Sequence, residues 1–460
     1  STQSRSSAAS DVYKRQPFYT GCHSTPTNDD GKSPAMSENT AAPLSAEDEV
    51  RLAGAKRRAG RSAVIGAIFL MATSAIGPGF ITQTATFTAT MGAAFAFAIL
   101  VSILIDIAVQ LNVWRMITSS GKRAGELANS AIPFSGHLIA VLVVIGGLAF
   151  NIGNIAGGGL GLNALLGIDP KLGGALTAAL AIIIFLVKKA GPVMDVVLIV
   201  LGVGMIVMTV IVAVIAQPPI GEALRQTFVP DELNFATITT IVGGTVGGYI
   251  TYSGAHRYLD SGHTGPEQAG PVMRAAANGI LVTGIMRYVL FLAILGVVAS
   301  GVSLDLSSQA ANPAGQAFGA VLGDAGLRIF GAIFWAAAIS SVIGAAYTSA
   351  TFLSTFTKKL RGGWPLQLAT VAFIVVSLIV YLSIGTAPAA ILVFVGGFNG
   401  LILPIGLTVF MYIGWFRRDL LGSKKYPLWL LIAGTVVTLL TWYMGIVSVG
   451  PIFAFLGTGA

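Results

Sequence analysis

The chain has 460 residues, 54% of them hydrophobic and 10% charged, with one cysteine, four histidines and a formal net charge of +8. Several apolar stretches exceed about 18 residues without a charge, which excludes a soluble domain and points to one integral membrane domain. A single cysteine, Cys22, excludes a disulfide scaffold, the dispersed histidines give no zinc spacing, and basic residues confined to short loops argue against nucleic acid as a partner.

At the amino terminus, Ser6 to Gln16 reads like translated sequencing-adapter sequence and is set aside as an assembly scar. Met36 is expected as the native start. Residues 1–60 read as a disordered lead, with 1–35 an artefact, residues 61–450 as one transporter domain, and residues 451–460 as a tail. About eleven membrane spans are expected: 62–87, 91–114, 136–162, 173–187, 193–216, 236–258, 277–300, 328–357, 366–385, 388–416 and 427–449.

Loop charges orient these spans. Arg51, Lys56, Arg57, Arg58 and Arg61 precede the first span; Arg115, Lys122 and Arg123 follow the second; Lys188 and Lys189 follow the fourth. Arg257 and Arg274 follow the sixth, Lys358, Lys359 and Arg361 the eighth, and Arg417, Arg418, Lys424 and Lys425 the tenth. The other side holds only Lys171, Arg225 and Arg328. This alternation predicts a multi-pass protein of the cell membrane, with the amino terminus cytoplasmic and the carboxyl terminus outside.

Spans one and six are each interrupted by glycine, at Gly77-Pro78-Gly79 and at Gly243-Gly244-Thr245-Val246-Gly247-Gly248-Tyr249. Pro removes a backbone donor and Gly weakens a helix. Backbone freed in this way survives at membrane depth only inside protein or beside a water-filled cavity. With a cytoplasmic start, spans one to five and six to ten run in opposite senses, so the broken spans open the two halves. The expected fold is therefore all-α, an inverted five-plus-five (LeuT-like) repeat with helices one and six broken.

Three segments carry a family resemblance: Ala149-Phe150-Asn151-Ile152-Gly153-Asn154-Ile155-Ala156-Gly157 through Gly167, then Ser340-Ser341-Val342-Ile343-Gly344-Ala345-Ala346-Tyr347, and Phe398-Asn399-Gly400-Leu401-Ile402-Leu403-Pro404. Together, and in order, they resemble the Nramp (natural resistance-associated macrophage protein) divalent-metal transporters over about residues 60–450. The resemblance implies divalent-metal uptake by alternating access. It also implies an Asp-Pro-Gly-Asn break whose Asp and Asn bind metal, where this chain has Gly77-Pro78-Gly79-Phe80. The family's Met-Pro-His in the sixth helix is matched here by Gly247-Gly248-Tyr249, and its two proton-route acids in the third by Asn151 and Asn154. Asparagine keeps the shape of aspartate and loses both charge and titratable proton, so coupling by the family's route is expected to be absent.

The groups left for binding are the breaks themselves, Gly77, Pro78, Gly79 and Gly247, with Thr82, Gln83, Thr84, Thr245, Tyr249, Thr251 and Asn399. A neutral set is poor for a dehydrated divalent cation. It suits a cation that keeps its waters, or a small organic acid or amino acid whose carboxylate meets the helix ends. No metal ligand is assigned and no cofactor is expected. Asp106 and Arg287 are charges inside spans. Asp106 reads as a structural partner, a protonatable coupling group or a cation ligand. Arg287 reads as structural pairing or as counter-ion to an anionic substrate. Asp195 reads as a helix cap beside Lys188 and Lys189. Asn151 and Asn154 read equally as interhelical hydrogen bonds or substrate contacts. The run Gly157-Gly158-Gly159 reads as close helix packing. His256 and His263 read as loop residues or, with Arg257 and Asp260, as an inner gate. The expected partners are the lipid bilayer and a small ion or solute. A channel or a membrane sensor is a further class, and no nucleophile with a base suggests an enzyme.

Overall fold

In the computed structural model the described residues are 77–187, 190–422 and 426–457, without the side chains of 190–199 and 455–457. The amino-terminal lead, Cys22, the first half of the first expected span, Lys188, Lys189, Lys424, Lys425 and the side chain of Asp195 lie outside them. Among the described residues all regular structure is helical. The helices are α1 (Pro78–Met91), α2 (Phe95–Ser120), α3 (Ala124–Ala131), α4 (Ser135–Leu166), α5 (Pro170–Leu186), α6 (Ala190–Ala216) and α7 (Ile220–Phe228). They continue with α8 (Phe235–Val246), α9 (Ile250–Asp260), α10 (Ala269–Ala299), α11 (Pro313–Phe352), α12 (Gly363–Ser383), α13 (Pro388–Phe416) and α14 (Leu428–Gly457).

Among the described residues, seven stretches are long and apolar enough to cross a membrane, or eight if the pair 200–216 and 220–228, bent by 110°, counts as one span. The remaining expected spans are merged, divided, short or partly outside the described residues. Spans one and two run together over Pro78–Ser120, parted only by the tight turn Gly92–Ala94, and α5 has only 17 residues. Span six divides into α8 and α9, neither of which is long enough alone. The last helix runs through Pro451 to Gly457, into the stretch expected as a tail.

Lipid-facing and protein-facing residues separate as bilayer solvation requires. Val200, Val203, Val207, Val210 and Val214 of α6 and Val436, Leu439, Tyr443 and Ile446 of α14 are exposed at helical spacing. An exposed apolar stripe of this kind is stable against acyl chains and not against water. The buried faces are held by close approach. Gly243 of α8 lies against Gly396 and Gly400 of α13, four residues apart, and these two glycines meet the Thr240 and Thr239 carbonyls, so the two backbones touch. Small residues at this spacing are the usual means of packing helices without a hydrophobic drive between them. Gly157 of α4 lies against Pro78, and Gly158 and Gly159 lie against Thr177 and Pro170, which supports the packing reading of that run.

At the centre sits α1. It packs against α4, α8, α10, α11 and α13 at once. The loops that the charge pattern assigns to one side meet at one end of the bundle: Arg123 pairs with Asp260 at 2.6 Å, Arg361 with Glu126 at 2.6 Å, and Arg417 donates to the carbonyls of Ser130 and Ala131. At the other end Lys171 reaches the Leu382 carbonyl and Arg328 that of Leu165.

Candidate functional site

Two interruptions build the site. At the first, Gly77 is extended (φ −81°, ψ −179°) and Pro78 takes the first helical position of α1, where its missing N–H costs nothing. At the second, α8 stops at Val246, Gly247 is extended, and Gly248 adopts φ 56° before Tyr249 leads into α9. That left-handed conformation suits glycine, and a Cβ at Gly248 would collide with the Asn399 side chain. The Thr251 hydroxyl donates to the Val246 carbonyl, satisfying one group that the break frees.

Between the breaks lies a small cavity with room for about one water molecule. Gly77, Gly79 and Phe80 form one wall, and Phe150, Gly153 and Asn154 of α4 a second. Gly244, Tyr249, Leu392 and Val395 complete it. Tyr249 meets Phe150 edge-on at 5.4 Å. A second small cavity touches the same break: Gly248 and Thr251 line it together with Tyr252 and apolar residues of α4 and α13. Consecutive residues, Gly248 and Tyr249, thus face different cavities.

Around the breaks, several buried polar atoms have no hydrogen-bond partner among the described residues: Thr82 Oγ1, Gln83 Oε1, Asn154 Nδ2, Ser341 Oγ and Asn399 Oδ1. Most buried polar groups in folded proteins are satisfied, so a cluster of orphans at a cavity marks a place where water or a ligand completes the set. Gln83 donates from Nε2 to the Leu392 carbonyl at 3.0 Å, tying α1 to α13, and its amide fits against Gly244 and Gly396 because neither has a side chain. Asn399 donates to the carbonyls of Gly146 and Val395, and its free oxygen lies by Gly248. The Ser341 hydroxyl stands beside Gly77, where a Cβ would come within 2.9 Å of it.

The expected site residues separate on these contacts. Gly77, Gly79 and Tyr249 line the first cavity, and Gln83 and Asn399 reach the breaks from α1 and α13. Pro78 packs on Gly157 and Thr84 bonds back to the Phe80 carbonyl. Asn154 enters the cavity, whereas Asn151 donates to Ser377 of α12 at 3.1 Å and so ties two helices together. Thr245 donates to the Ile241 carbonyl at 2.8 Å and more weakly to Asp106 at 3.3 Å. Asp106 and Arg287 are both buried and within electrostatic reach of each other, and no direct ion pair joins them. In the gate considered from the sequence, Asp260 pairs with Arg123, and Arg257 is exposed. His256 is buried, its Nε2 accepting from the Ala124 N–H at the start of α3 at 3.1 Å.

Sequence reasoning did not single out Phe80, Phe150, Gly153, Gly244, Leu392, Val395 or Ser341 as site residues. Apolar and glycine linings carry no chemical signature in a chain this apolar. Ser341 was legible only as part of the Ser340-Ser341 motif. Among the described residues no group of three or more His, Cys, Asp or Glu is placed to hold a metal ion.

Similarity to known proteins follows the same scaffold. The Nramp (natural resistance-associated macrophage protein-like) family model matches residues 68–450. An uncharacterised membrane protein of Bacillus subtilis, YcsG, is 49% identical over 404 residues, 87% of this chain and 97% of the relative. Among solved structures, the manganese transporter of Eremococcus coleocola superposes with a TM-score of 0.65 at 14% identity, covering 86% of this chain and 93% of that one. MhsT in complex with L-phenylalanine superposes with a TM-score of 0.58 at 17% identity, covering 85% and 98%. At these identities the two structures speak for the fold, a LeuT-like bundle.

Proposed function

The chain belongs to the Nramp family of membrane metal-ion transporters, and on that premise we propose that it is an alternating-access secondary carrier whose central site has become neutral. The observation that carries this reading is the cluster of orphaned amide and hydroxyl groups at the two helix breaks, with no carboxylate, imidazole or thiolate among the described residues that line the cavity. Breaks in the paired helices of an inverted repeat are where such carriers hold their cargo, and two small cavities meeting at one break suit a site approached alternately from either side. On this reading the family's metal ligands and proton-route groups are replaced by Gly77, Phe80, Gly247, Tyr249, Asn151 and Asn154.

For a divalent metal ion, the family's cargo, this site offers only neutral oxygens such as those of Gln83 and Asn399. Hard cations bound without carboxylates keep much of their water. A second reading, a small organic acid or amino acid, is favoured by the unpartnered Nδ2 donor of Asn154, which serves an anion and not a cation, while the Ser341 hydroxyl serves either. The test is uptake into proteoliposomes of the chain from Met36 onward, with Mn²⁺ and Mg²⁺ beside small carboxylates and amino acids. Saturable uptake with counterflow is expected for one class; flux that never saturates would sink the carrier reading.

A further inference from the structure

Arg287 of α10 is 2% exposed, and its guanidinium carbon lies 4.1 Å from the centroid of the Phe80 ring. Phe80 is itself a wall of the cavity between the breaks. Two of the guanidinium nitrogens, Nε and Nη2, have no hydrogen-bond partner among the described residues. These two form one edge of the planar group, with parallel N–H bonds spaced to match the two oxygens of a carboxylate. A buried charge with an open fork is costly to keep, and a carboxylate seated on it is the partner that satisfies both donors and charge.

The resident carboxylate does not take that place. Asp106 lies within electrostatic reach but makes no ion pair with Arg287, and its one side-chain hydrogen bond among the described residues is the long contact from Thr245. Thr245 in turn is committed to the Ile241 carbonyl. Asp106 thus lowers the cost of burying Arg287 from a distance and leaves the fork open. Phe80, held by the guanidinium on its face, gives the site an apolar wall; Asn154 lines the same cavity, and the Ser341 hydroxyl stands beside Gly77.

We propose that the Nε–Nη2 edge of Arg287 is a carboxylate receptor, and that the cargo of the central site is a small organic acid or amino acid held by its carboxylate. This rests on the carrier reading for transport, but binding is measurable without it. Arg287 would be the residue that selects anionic cargo, a charge the family resemblance does not assign.

The experiment uses the full chain in detergent and in proteoliposomes, with lactate, succinate, glutamate and proline as probes and Mn²⁺ as the contrasting one. Thermal stabilisation by ligand and uptake are read in parallel. Saturable stabilisation by at least one carboxylate is expected. Arg287→Lys keeps the charge and loses the fork, so affinity should fall about tenfold. Asp106→Asn removes a repelling charge, so the same carboxylate should bind more tightly, by up to about tenfold. Because Arg287→Gln alone leaves Asp106 buried without compensation, the double variant Asp106→Asn, Arg287→Gln restores neutrality. It should fold and lose at least tenfold in carboxylate affinity. Wild-type binding by the double variant, loss of binding in Asp106→Asn, or Mn²⁺ uptake with no carboxylate response overturns the inference. Carboxylate binding without uptake overturns the carrier reading instead and leaves the receptor standing.

Discussion

Replacing Gly243 by alanine is expected to cost about 3 kcal/mol or more, enough to remove most folded protein from the membrane. A methyl group there has no side chain to push aside. It would overlap the Gly396 carbonyl and the backbone of Gly400. Relief would require α8 and α13 to separate along the line that sets the second break, so the damage reaches the site as well as the fold. Gly445→Ala is the control: it lies inside α14, its added carbon meets only Leu401 at 4.0 Å, and the gain in helix propensity is up to about 1 kcal/mol. Fluorescence-detected size exclusion and thermal melting of both variants check the pair. A Gly243→Ala protein as stable as Gly445→Ala would mean that the helices have slack which their contact does not show.

The difference between these two glycines indicates what the sequence makes legible. Both sit in apolar runs, and nothing local separates them; only the partner helix does. The breaks were legible because Pro78 and the glycines at 243–248 contradict helix formation in stretches otherwise apolar enough to span. The charge alternation was legible because it is a sum over loops, and the loops meet as expected through Arg123–Asp260, Arg361–Glu126 and Arg417. Asn151 and Asn154 show the limit. Three residues apart on one helix, they share a face in any sequence reading, and yet one ties α4 to α12 while the other lines the cavity. Arg287 was visible as a charge in a span. That its guanidinium stacks on Phe80, a wall of the cavity, is a fact of packing between α1 and α10, far apart in sequence, which no periodicity encodes.

Charge at position 83 separates the two kinds of cargo by sign. Gln83→Glu changes no volume, and the glycines at 244 and 396 that accommodate the amide accommodate a carboxyl group as well. The bond from Nε2 to the Leu392 carbonyl is lost, a cost of about 1 kcal/mol that folding assays will register. The larger consequence is electrostatic. Two unit charges about 4 Å apart at an effective dielectric of about 20 interact by about 4 kcal/mol, so a carboxylate beside the break repels an anionic cargo by far more than the lost bond. Carboxylate uptake is therefore expected to fall at least tenfold in Gln83→Glu, with no gain from Mn²⁺. Raising the pH should deepen the loss, since repulsion needs the introduced carboxyl group ionised, and lowering it should restore part of the flux. The opposite sign, tighter Mn²⁺ binding in Gln83→Glu, would show that the neutral cavity is a metal site short of one charge and that the family's cargo has been retained.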